Sequence, residues 1–249
     1  MIKVTVIGNG NLGTHWCHVL SKNKDISLLQ WYGRSFSASA SATSIKVSTI
    51  NQIHMLTKAD VYILAVSDDA IGTISSQLPE GAFTVHCSGS VSLDTLENKG
   101  EKGVLYPVQS FSKEHLISFK GIPFCIEAST AEKLSFLRHF CKILGATTTT
   151  MTSEQRKYLH LAAVIVNNFS NHLFVEAAKI CEANALSFEL LHPLIEETAA
   201  KIKRTKPQHA QTGPAIRNDH NTLQEHEELL KESPLKKTYT SLSKAIQNQ

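Results

Sequence analysis

The stretch Lys3–Gly13, KVTVIGNGNLG, decides the fold that this sequence predicts. A short β-rich run leads directly into Gly8, Gly10 and Gly13, which are spaced as GxGxxG, and the following NLGTHWCHVL is typical of a helix. In such a unit the first glycine makes the tight turn, the second lets the backbone approach a pyrophosphate, and the third lets helix and strand pack closely. The helix N-terminus adds N–H groups and partial positive charge. The stretch therefore predicts a dinucleotide-binding strand, loop and helix.

Further β-rich runs alternate with helical stretches along the first 150 residues. They are ISLLQWYG, VYILAVS, FTVHCSG, GVLYPVQSF, IPFCIEA and ATTTTM. Several are nearly continuously apolar, as strands are when both faces of a parallel sheet are covered. The alternation indicates βαβ units. We therefore predict an α/β fold with a doubly wound Rossmann domain over residues 1–151.

From residue 152 onward the strand signals stop. Residues 153–183 contain no Gly or Pro and are rich in apolar side chains, which predicts one long, mostly buried helix. Ser187 is expected to cap the next helix, with a kink at Pro193, and TLQE (Thr222–Glu225) has the spacing of a capping box. These patterns predict an all-α domain over residues 152–249.

Composition limits the classes of function. A net charge of +3 over 249 residues argues against a dedicated nucleic-acid surface, and no apolar stretch approaches the roughly 20 residues that span a bilayer. The five cysteines include no CxxC pair, which favours free thiols in a reducing compartment. No HxxxH or HExxH spacing occurs, so we expect no metal site. We expect a cytoplasmic protein without nucleic-acid or membrane partners.

QWYGRS (Gln30–Ser35) bears on the choice of nucleotide. An NAD site usually has an acid about 20 residues after the glycines, on the ribose hydroxyls. Here Arg34 stands 21 residues after Gly13 and is followed by Ser35. A guanidinium pairs with a 2′-phosphate, which an acid would repel. The pattern favours NADP over NAD, and the alternative is an exposed loop arginine without a ligand. The low-complexity SFSASASAT (Ser35–Thr43) is expected to be a surface loop or a weak helix start.

Two strand ends carry further candidates. AVSDDAI (Ala65–Ile71) follows a buried strand, where the cofactor crosses in this kind of fold. Its Asp68 and Asp69 suit either a catalytic acid pair or the positive end of a helix. HCSGS (His86–Ser90) ends the next strand, and its small polar residues suit a nicotinamide or substrate edge, or a simple turn.

Together these motifs resemble a known family. VIGNGNLG, GRS, AVSDDAI, HCSGS and YPVQSF occur in the order found in pyrroline-5-carboxylate reductases and deazaflavin-dependent NADP oxidoreductases. HLAAVIVNNF and TGPAIRNDHNTLQEH resemble the branch whose helical C-terminal half is a domain of unknown function.

The resemblance implies an NADP-binding Rossmann domain and a helical domain like the C-terminal domain of 6-phosphogluconate dehydrogenases, commonly paired in a homodimer. It implies hydride transfer between NADPH and a small carbonyl or imine in an interdomain cleft. It assigns residues to three parts of the cofactor: Gly8, Gly10, Asn11, Leu12 and Gly13 to the pyrophosphate, Arg34 and Ser35 to the 2′-phosphate, and Ala65, Val66 and Ser67 to the ribose and nicotinamide side.

The chain departs from this pattern at the proton donor. Related β-hydroxyacid dehydrogenases use a Lys and an Asn one turn apart, whereas this helix has His160 and Val164. His160 and Asn167 are seven residues apart and would share a face of a regular helix. We treat them as catalytic candidates, His160 as general acid, against the alternative of a core histidine and a capping amide.

Substrate contacts are predicted from both halves of the chain. Ser88 is the candidate in the first half. In TGPAIRND, Thr212 and Arg217 are candidates, the latter for a substrate carboxylate, with a structural loop as the alternative. The leading hypothesis is an NADPH-dependent reductase of a small molecule. The rival is a sensor or scaffold that holds NADP without turnover, and a deazaflavin as electron partner stays open.

Overall fold

The computed structural model describes residues 1–35 and 45–249. Most of the low-complexity SFSASASAT stretch, from residue 36, lies outside the described residues. The chain divides into two compact units, Met1–Asn168 and Phe169–Gln249. The sequence analysis placed the domain boundary after residue 151, whereas the two compact units divide after Asn168. The helix that begins at Ser153 therefore belongs to the first unit. The domain assignment from sequence stays a prediction.

The first unit is built on one eight-stranded sheet with the order β3-β2-β1-β4-β5-β6-β7-β8. Strands β1 to β6 run parallel, β7 is antiparallel to β6, and β8 is parallel to β7. The strands are β1 (Ile2–Ile7), β2 (Ile26–Tyr32), β3 (Ser48–Ile50), β4 (Val61–Leu64), β5 (Thr84–His86), β6 (Lys102–Pro107), β7 (Pro123–Ala128) and β8 (Thr147–Thr150). The predicted α/β fold with a helical C-terminal region is confirmed.

Two apolar clusters cover the two faces of this sheet. Val4, Val6 and Ile63 belong to the larger cluster, while Ile7 and Leu64 belong to the smaller one. This division follows from the alternation of side chains along a strand. In the larger cluster the ring of Trp16 lies 4.6 Å from that of Phe119 and 5.7 Å from that of Phe124, both edge-on. All five cysteines are buried free thiols.

The described helices of the first unit follow the strands. They are α1 (Asn11–Ser21), α2 (Ile71–Ser75), α3 (Ala131–Ile143) and α4 (Ser153–Ala163), and α4 continues into a π-helical segment, Val164–Phe169. Thr152 and Gln155 form a capping box at the start of α4. The prediction of one long helix over residues 153–183 did not foresee this π-helical segment.

The second unit is helical throughout its described elements. These are α5 (Ser170–Ala183), α6 (His192–Arg204), α7 (Pro207–Ala210), α8 (His220–Leu229) and α9 (Leu235–Gln247), with a 3₁₀ turn at Phe188–Leu191. Pro193 lies in the first turn of α6, where no helical N–H is needed, so the predicted kink was wrong. Asp219, not Thr222, caps α8 and accepts from the Thr222 N–H at 3.2 Å. In the described ranges no helix is both long and apolar enough to cross a membrane.

The expectation that residues 153–183 are mostly buried was also wrong. Large apolar side chains along this stretch stand exposed: Tyr158, Leu161, Ile165, Val166, Phe169, Leu173, Phe174, Val175 and Ile180. An apolar composition predicts that side chains of a helix favour burial. It does not tell whether other residues of the same chain pack against them.

Candidate cofactor site

A groove of about 770 Å³ opens where the carboxyl ends of β1, β2, β4 and β5 meet. Its walls include most of the residues predicted to hold a cofactor: Gly8, Gly10, Asn11, Leu12, Arg34, Ala65, Val66 and Ser67. Ser88, predicted as a substrate contact, lies in the same wall. In open α/β sheets this crevice is where ligands bind.

The glycine loop is shaped by two close backbone approaches and one open position. Gly8 has φ +116°, and a Cβ on it would lie 2.1 Å from the Ala65 carbonyl oxygen. A Cβ on Gly13 would lie 2.0 Å from the Gly8 carbonyl oxygen. A Cβ on Gly10 would meet no described atom within 4 Å, so the space over this residue is open. Gly8 and Gly13 therefore serve the turn and the packing, and Gly10 leaves room for a ligand.

The N-terminus of α1 is suited to an anion. Its N-cap is Gly10, which has extended backbone angles and no side chain to satisfy the first-turn N–H groups. No acidic residue lies in the first turn of this fully described helix. Uncapped N–H groups and the helix dipole together favour a bound phosphate.

Asn9 and Trp31, which the sequence analysis missed, join the glycine loop to the end of β2. The Trp31 indole donates to the Gly8 carbonyl at 2.8 Å, and the Asn9 amide donates to the Ser35 carbonyl. Asn9 occupies a variable position of GxGxxG, so no motif singles it out. The two bonds hold Arg34, between Gly33 and Ser35, beside the groove. Ser35 is not among the lining residues.

Arg34 contributes a cation to the wall of this groove. Its side chain is exposed, and no carboxylate among the described residues pairs with it. The wall near it is extended by residues that the sequence analysis did not assign: Tyr32, Ile53, Thr73, Ile74 and Gln77.

Ser88 is engaged in a polar chain along the wall. Its hydroxyl oxygen accepts from the N–H groups of Ser90 and Val91, each at 3.1 Å, and lies 3.2 Å from the Ser90 hydroxyl. Ser90 donates to Asp68 at 2.5 Å. Asp68, which also lines the groove, therefore accepts from a serine of the next loop. These bonds suit a turn-forming role for Ser88, and its substrate role stays a prediction.

His160, on α4, lies against the same loop. Its Nδ1 is 3.2 Å from the Tyr106 hydroxyl, and a Cβ on Gly89 would come within 2.6 Å of that nitrogen. His160 does not line the groove. Gly89, which His160 contacts, directly follows Ser88, and Ser88 does line it. The catalytic role of His160 stays a prediction.

Asn167 lies in the π-helical segment and is exposed. The seven-residue spacing from His160 places two residues on one face only if the helix is α throughout, and the wider π turn shifts this register. Thr212 and Arg217 lie in the second unit and are exposed. The site roles of Asn167, Thr212 and Arg217 therefore stay predictions.

In the described part of the chain, no group of three or more His, Cys, Asp or Glu side chains is placed to hold a metal ion.

His86, at the end of β5, shapes the Ser88 loop and gives a pH-dependent prediction. It is fully buried, and its Nδ1 accepts from the Ser88 N–H at 3.2 Å. Burial first, and then the nearby Arg156 charge, lower the pKa of His86 from 6.5 to about 4, against smaller opposite effects of Ser92, Asp68 and Glu127. Above pH 6.5 the ring is neutral in both states, so its contribution to stability is fully present there.

As the pH falls from 6.5 toward 4, only the unfolded state takes up the proton, and the protein loses about 3 kcal/mol of unfolding free energy from this residue. We expect His86→Gln to show a shallower fall of stability over this range, measured by urea unfolding at several pH values. Equal slopes in the two proteins would contradict the buried, neutral ring.

Comparison with known proteins identifies the family. Residues 122–246 match the family described as a domain of unknown function, DUF2520. The crystal structure of a proposed NADP oxidoreductase from Bacteroides fragilis is 36% identical, covers 100% of this chain and 98% of its own, and superposes with a TM-score of 0.91. The chain belongs to the DUF2520 family. The family match begins at Ile122, one residue before β7 of the first unit, so it is not limited to the helical part.

Other solved structures extend the comparison. A protein from Thermotoga maritima is 25% identical, with 98% of this chain and 97% of that chain covered and a TM-score of 0.72. The pyrroline carboxylate reductase of Plasmodium falciparum, solved with NADP bound, is 13% identical, with 99% and 98% covered and a TM-score of 0.66. At that identity the likeness concerns the fold alone. It matches the fold that the sequence resemblance implied. No curated protein matches the sequence.

Proposed function

We propose that this DUF2520 protein is an NADP(H)-dependent oxidoreductase acting on a small imine or carbonyl compound. The observation that carries the proposal is the groove that joins an uncapped helix N-terminus at Gly10 to the Arg34 guanidinium, which has no carboxylate partner among the described residues. The 36% identical protein from Bacteroides fragilis, a proposed NADP oxidoreductase, supports it.

The residues present fit the proposed cofactor. The open space over Gly10 and the N–H groups of Asn11 and Leu12 suit a pyrophosphate. The Arg34 guanidinium suits a 2′-phosphate through charge-assisted hydrogen bonds, and Ala65, Val66 and Ser67 would flank the ribose and nicotinamide. When bound, NADPH supplies a hydride to the carbon of a C=N or C=O bond, and the nitrogen or oxygen takes up a proton. The chain's own part is to orient the substrate and to supply that proton, with His160 as the proposed donor.

Arg34→Ala tests the cofactor assignment. A hydrogen bond to a charged group contributes about 1.5–3 kcal/mol, so the variant should bind NADPH about 10- to 100-fold more weakly and NADH unchanged. Fluorescence titration of the wild type and the variant with both nucleotides measures this. Arg204→Ala, an exposed arginine of α6, is the matched control and should leave both affinities unchanged. A 2′-phosphate contact would be contradicted if the variant bound NADPH and NADH equally more weakly, or if it bound both as tightly as the wild type.

A non-catalytic NADP sensor or scaffold is the second candidate. The feature that favours it is the absence of the Lys and Asn pair, where this chain has His160 and Val164. A panel of cyclic imines, keto acids and a deazaflavin, tested for saturable NADPH oxidation, separates the two. Turnover that falls on His160→Ala supports the reductase, whereas tight NADPH binding without any turnover supports the sensor.

We further propose that a second copy of the chain covers the apolar surface of the helical unit. The side chains of Phe169, Leu186, Leu190 and Leu194 are 58%, 57%, 74% and 64% exposed, and this exposure supports the proposal. The family resemblance favours a homodimer as the occupant.

Leu194→Glu tests this proposal. A carboxylate on a buried dimer face would remain unpaired, so the dimer should dissociate at least about 100-fold more readily. Sedimentation equilibrium of the wild type and the variant measures it. Met55→Glu, at a 50% exposed position of the first unit, is the control and should stay dimeric. A monomeric wild type would refute the proposal.

A further inference from the structure

The surroundings of His160 assign a role to Tyr106, the first residue of YPVQSF, to which the sequence analysis gave no role. We infer that the Tyr106 hydroxyl donates to Nδ1 of His160 and so keeps the ring N–H on Nε2, the nitrogen that remains to meet a substrate. Tyr106 is then a positioning residue for the proton donor: when Nε2 gives its proton to the substrate, Nδ1 takes the hydroxyl proton of Tyr106, so that the ring stays neutral, and solvent returns a proton to the phenolate. The inference rests on the proposed function, because it takes His160 as that donor.

The geometry places the two side chains as a pair. Tyr106 lies on β6, one residue before the strand ends, and His160 lies in the third turn of α4. The hydroxyl oxygen is 3.2 Å from Nδ1, and the rings meet edge-on at 77° with centroids 5.9 Å apart. Among the described residues, Nε2 of His160 has no hydrogen-bond partner. The imidazole is therefore held at one nitrogen and available at the other.

The direction of the hydrogen bond follows from the phenol. Burial, with a smaller contribution from Cys125, raises the pKa of Tyr106 above its ordinary value of 10, so the hydroxyl keeps its hydrogen at neutral pH. No other acceptor for that hydrogen is present among the described residues. If Nδ1 instead donated to the tyrosine oxygen, a half-buried hydroxyl hydrogen would lose its partner. A neutral imidazole has one N–H, so accepting at Nδ1 places it on Nε2.

Gly89 brings the pair to the wall of the cofactor groove. A Cβ there would lie 2.6 Å from Nδ1 of His160 and 2.8 Å from Cζ of Tyr106. Only a glycine lets both rings approach the loop this closely. Its neighbour Ser88 lines the groove, so the pair lies one residue behind that wall.

Arg156 fixes the helix that carries His160. It is fully buried and four residues before His160, hence on the same face of α4. Its guanidinium bonds Glu127 of β7 at 2.6 Å and the Val91 carbonyl, which belongs to the loop that contains Gly89. These contacts, which do not include Tyr106, hold the His160 ring in its position next to Gly89. Removal of the Tyr106 hydroxyl should therefore change the tautomer of His160 and leave its ring in place.

The test is nitrogen NMR of the histidine rings in the full-length protein. With ¹⁵N-histidine labelling at about pH 8.5, where an ordinary imidazole is neutral, long-range ¹H–¹⁵N spectra distinguish the protonated ring nitrogen from the unprotonated one. His160→Gln assigns the signals. We expect the wild-type ring in a single Nε2–H form and Tyr106→Phe in a mixture, with the two nitrogen shifts moving toward each other. Tyr158→Phe, at a 70% exposed position of the same helix, is the control and should match the wild type.

Two results would overturn the inference. One is a wild-type ring protonated at Nδ1, and the other is a Tyr106→Phe spectrum identical to that of the wild type. The measurement needs neither substrate nor nucleotide. Failure of NADPH binding in the titration with Arg34→Ala would therefore refute the proposed function separately, while the tautomer result would still stand or fall on its own.

Discussion

Arg156→Met should lower the free energy of unfolding by about 3–5 kcal/mol, the cost of leaving one partner of a buried ion pair alone. The Arg156 side chain is fully buried, while that of Glu127 is 20% exposed, and the two are 2.6 Å apart. Ser153 strengthens the cluster, since it donates to Glu127 at 2.7 Å and accepts from Leu93 N–H at 2.9 Å. The cluster thus joins α4, β7 and the loop after β5.

A double-mutant cycle separates this ion pair from simple packing. Combining Arg156→Met with Glu127→Gln removes both charges, so the double variant should be more stable than the sum of the single effects predicts. Arg204→Met is the matched control, because its ion pair with Glu197 is 65% and 60% exposed and should contribute at most about 1 kcal/mol. Urea unfolding measures all four variants. Equal losses for Arg156→Met and Arg204→Met would contradict the buried cluster.

Two alanine substitutions in the glycine loop should have different effects, one on stability and the other on NADPH binding. Gly13→Ala places a methyl 2.0 Å from the Gly8 carbonyl oxygen, so α1 must move away from β1, and we expect a loss of at least about 3 kcal/mol in unfolding free energy. Gly10→Ala meets no described atom within 4 Å, so its stability should fall only by about 1 kcal/mol, the cost of alanine at the N-cap of α1. Its methyl would occupy the space proposed for the pyrophosphate, and NADPH affinity should fall at least about 100-fold.

The pair is its own control, because the two changes add the same methyl three residues apart. Thermal unfolding and NADPH titration of both variants are the measurements. If Gly10→Ala binds NADPH like the wild type, the pyrophosphate does not lie over this loop. A Gly13→Ala protein as stable as the wild type would mean that the loop relaxes freely.

The local part of this architecture could be read from the sequence. GxGxxG after a β-rich run predicts the turn at Gly8 and the helix after Gly10, because both depend on neighbouring residues. Short edge strand β3, only three residues long, gave too weak a pattern to predict. The capping of α8 by Asp219 was missed because TLQE offered a competing motif two residues into the helix.

The features that could not be predicted from the sequence depend on contacts between residues that are far apart along the chain. Tyr106 and His160 are 54 residues apart, and Asn9 and Ser35 are 26 apart, so no spacing rule joins them. A buried arginine such as Arg156 cannot be told from an exposed one by pattern alone. The apolar stretch after residue 153 was correctly read as helical, but its exposure depends on what else packs there.

The most direct test of the account is a crystal structure of the wild-type protein with NADP⁺. We predict the pyrophosphate against the N–H groups of Asn11 and Leu12 and the 2′-phosphate within hydrogen-bond distance of the Arg34 guanidinium. A nucleotide bound elsewhere, or one whose 2′-phosphate points away from Arg34 into solvent, would contradict the central claim that this groove is an NADP site.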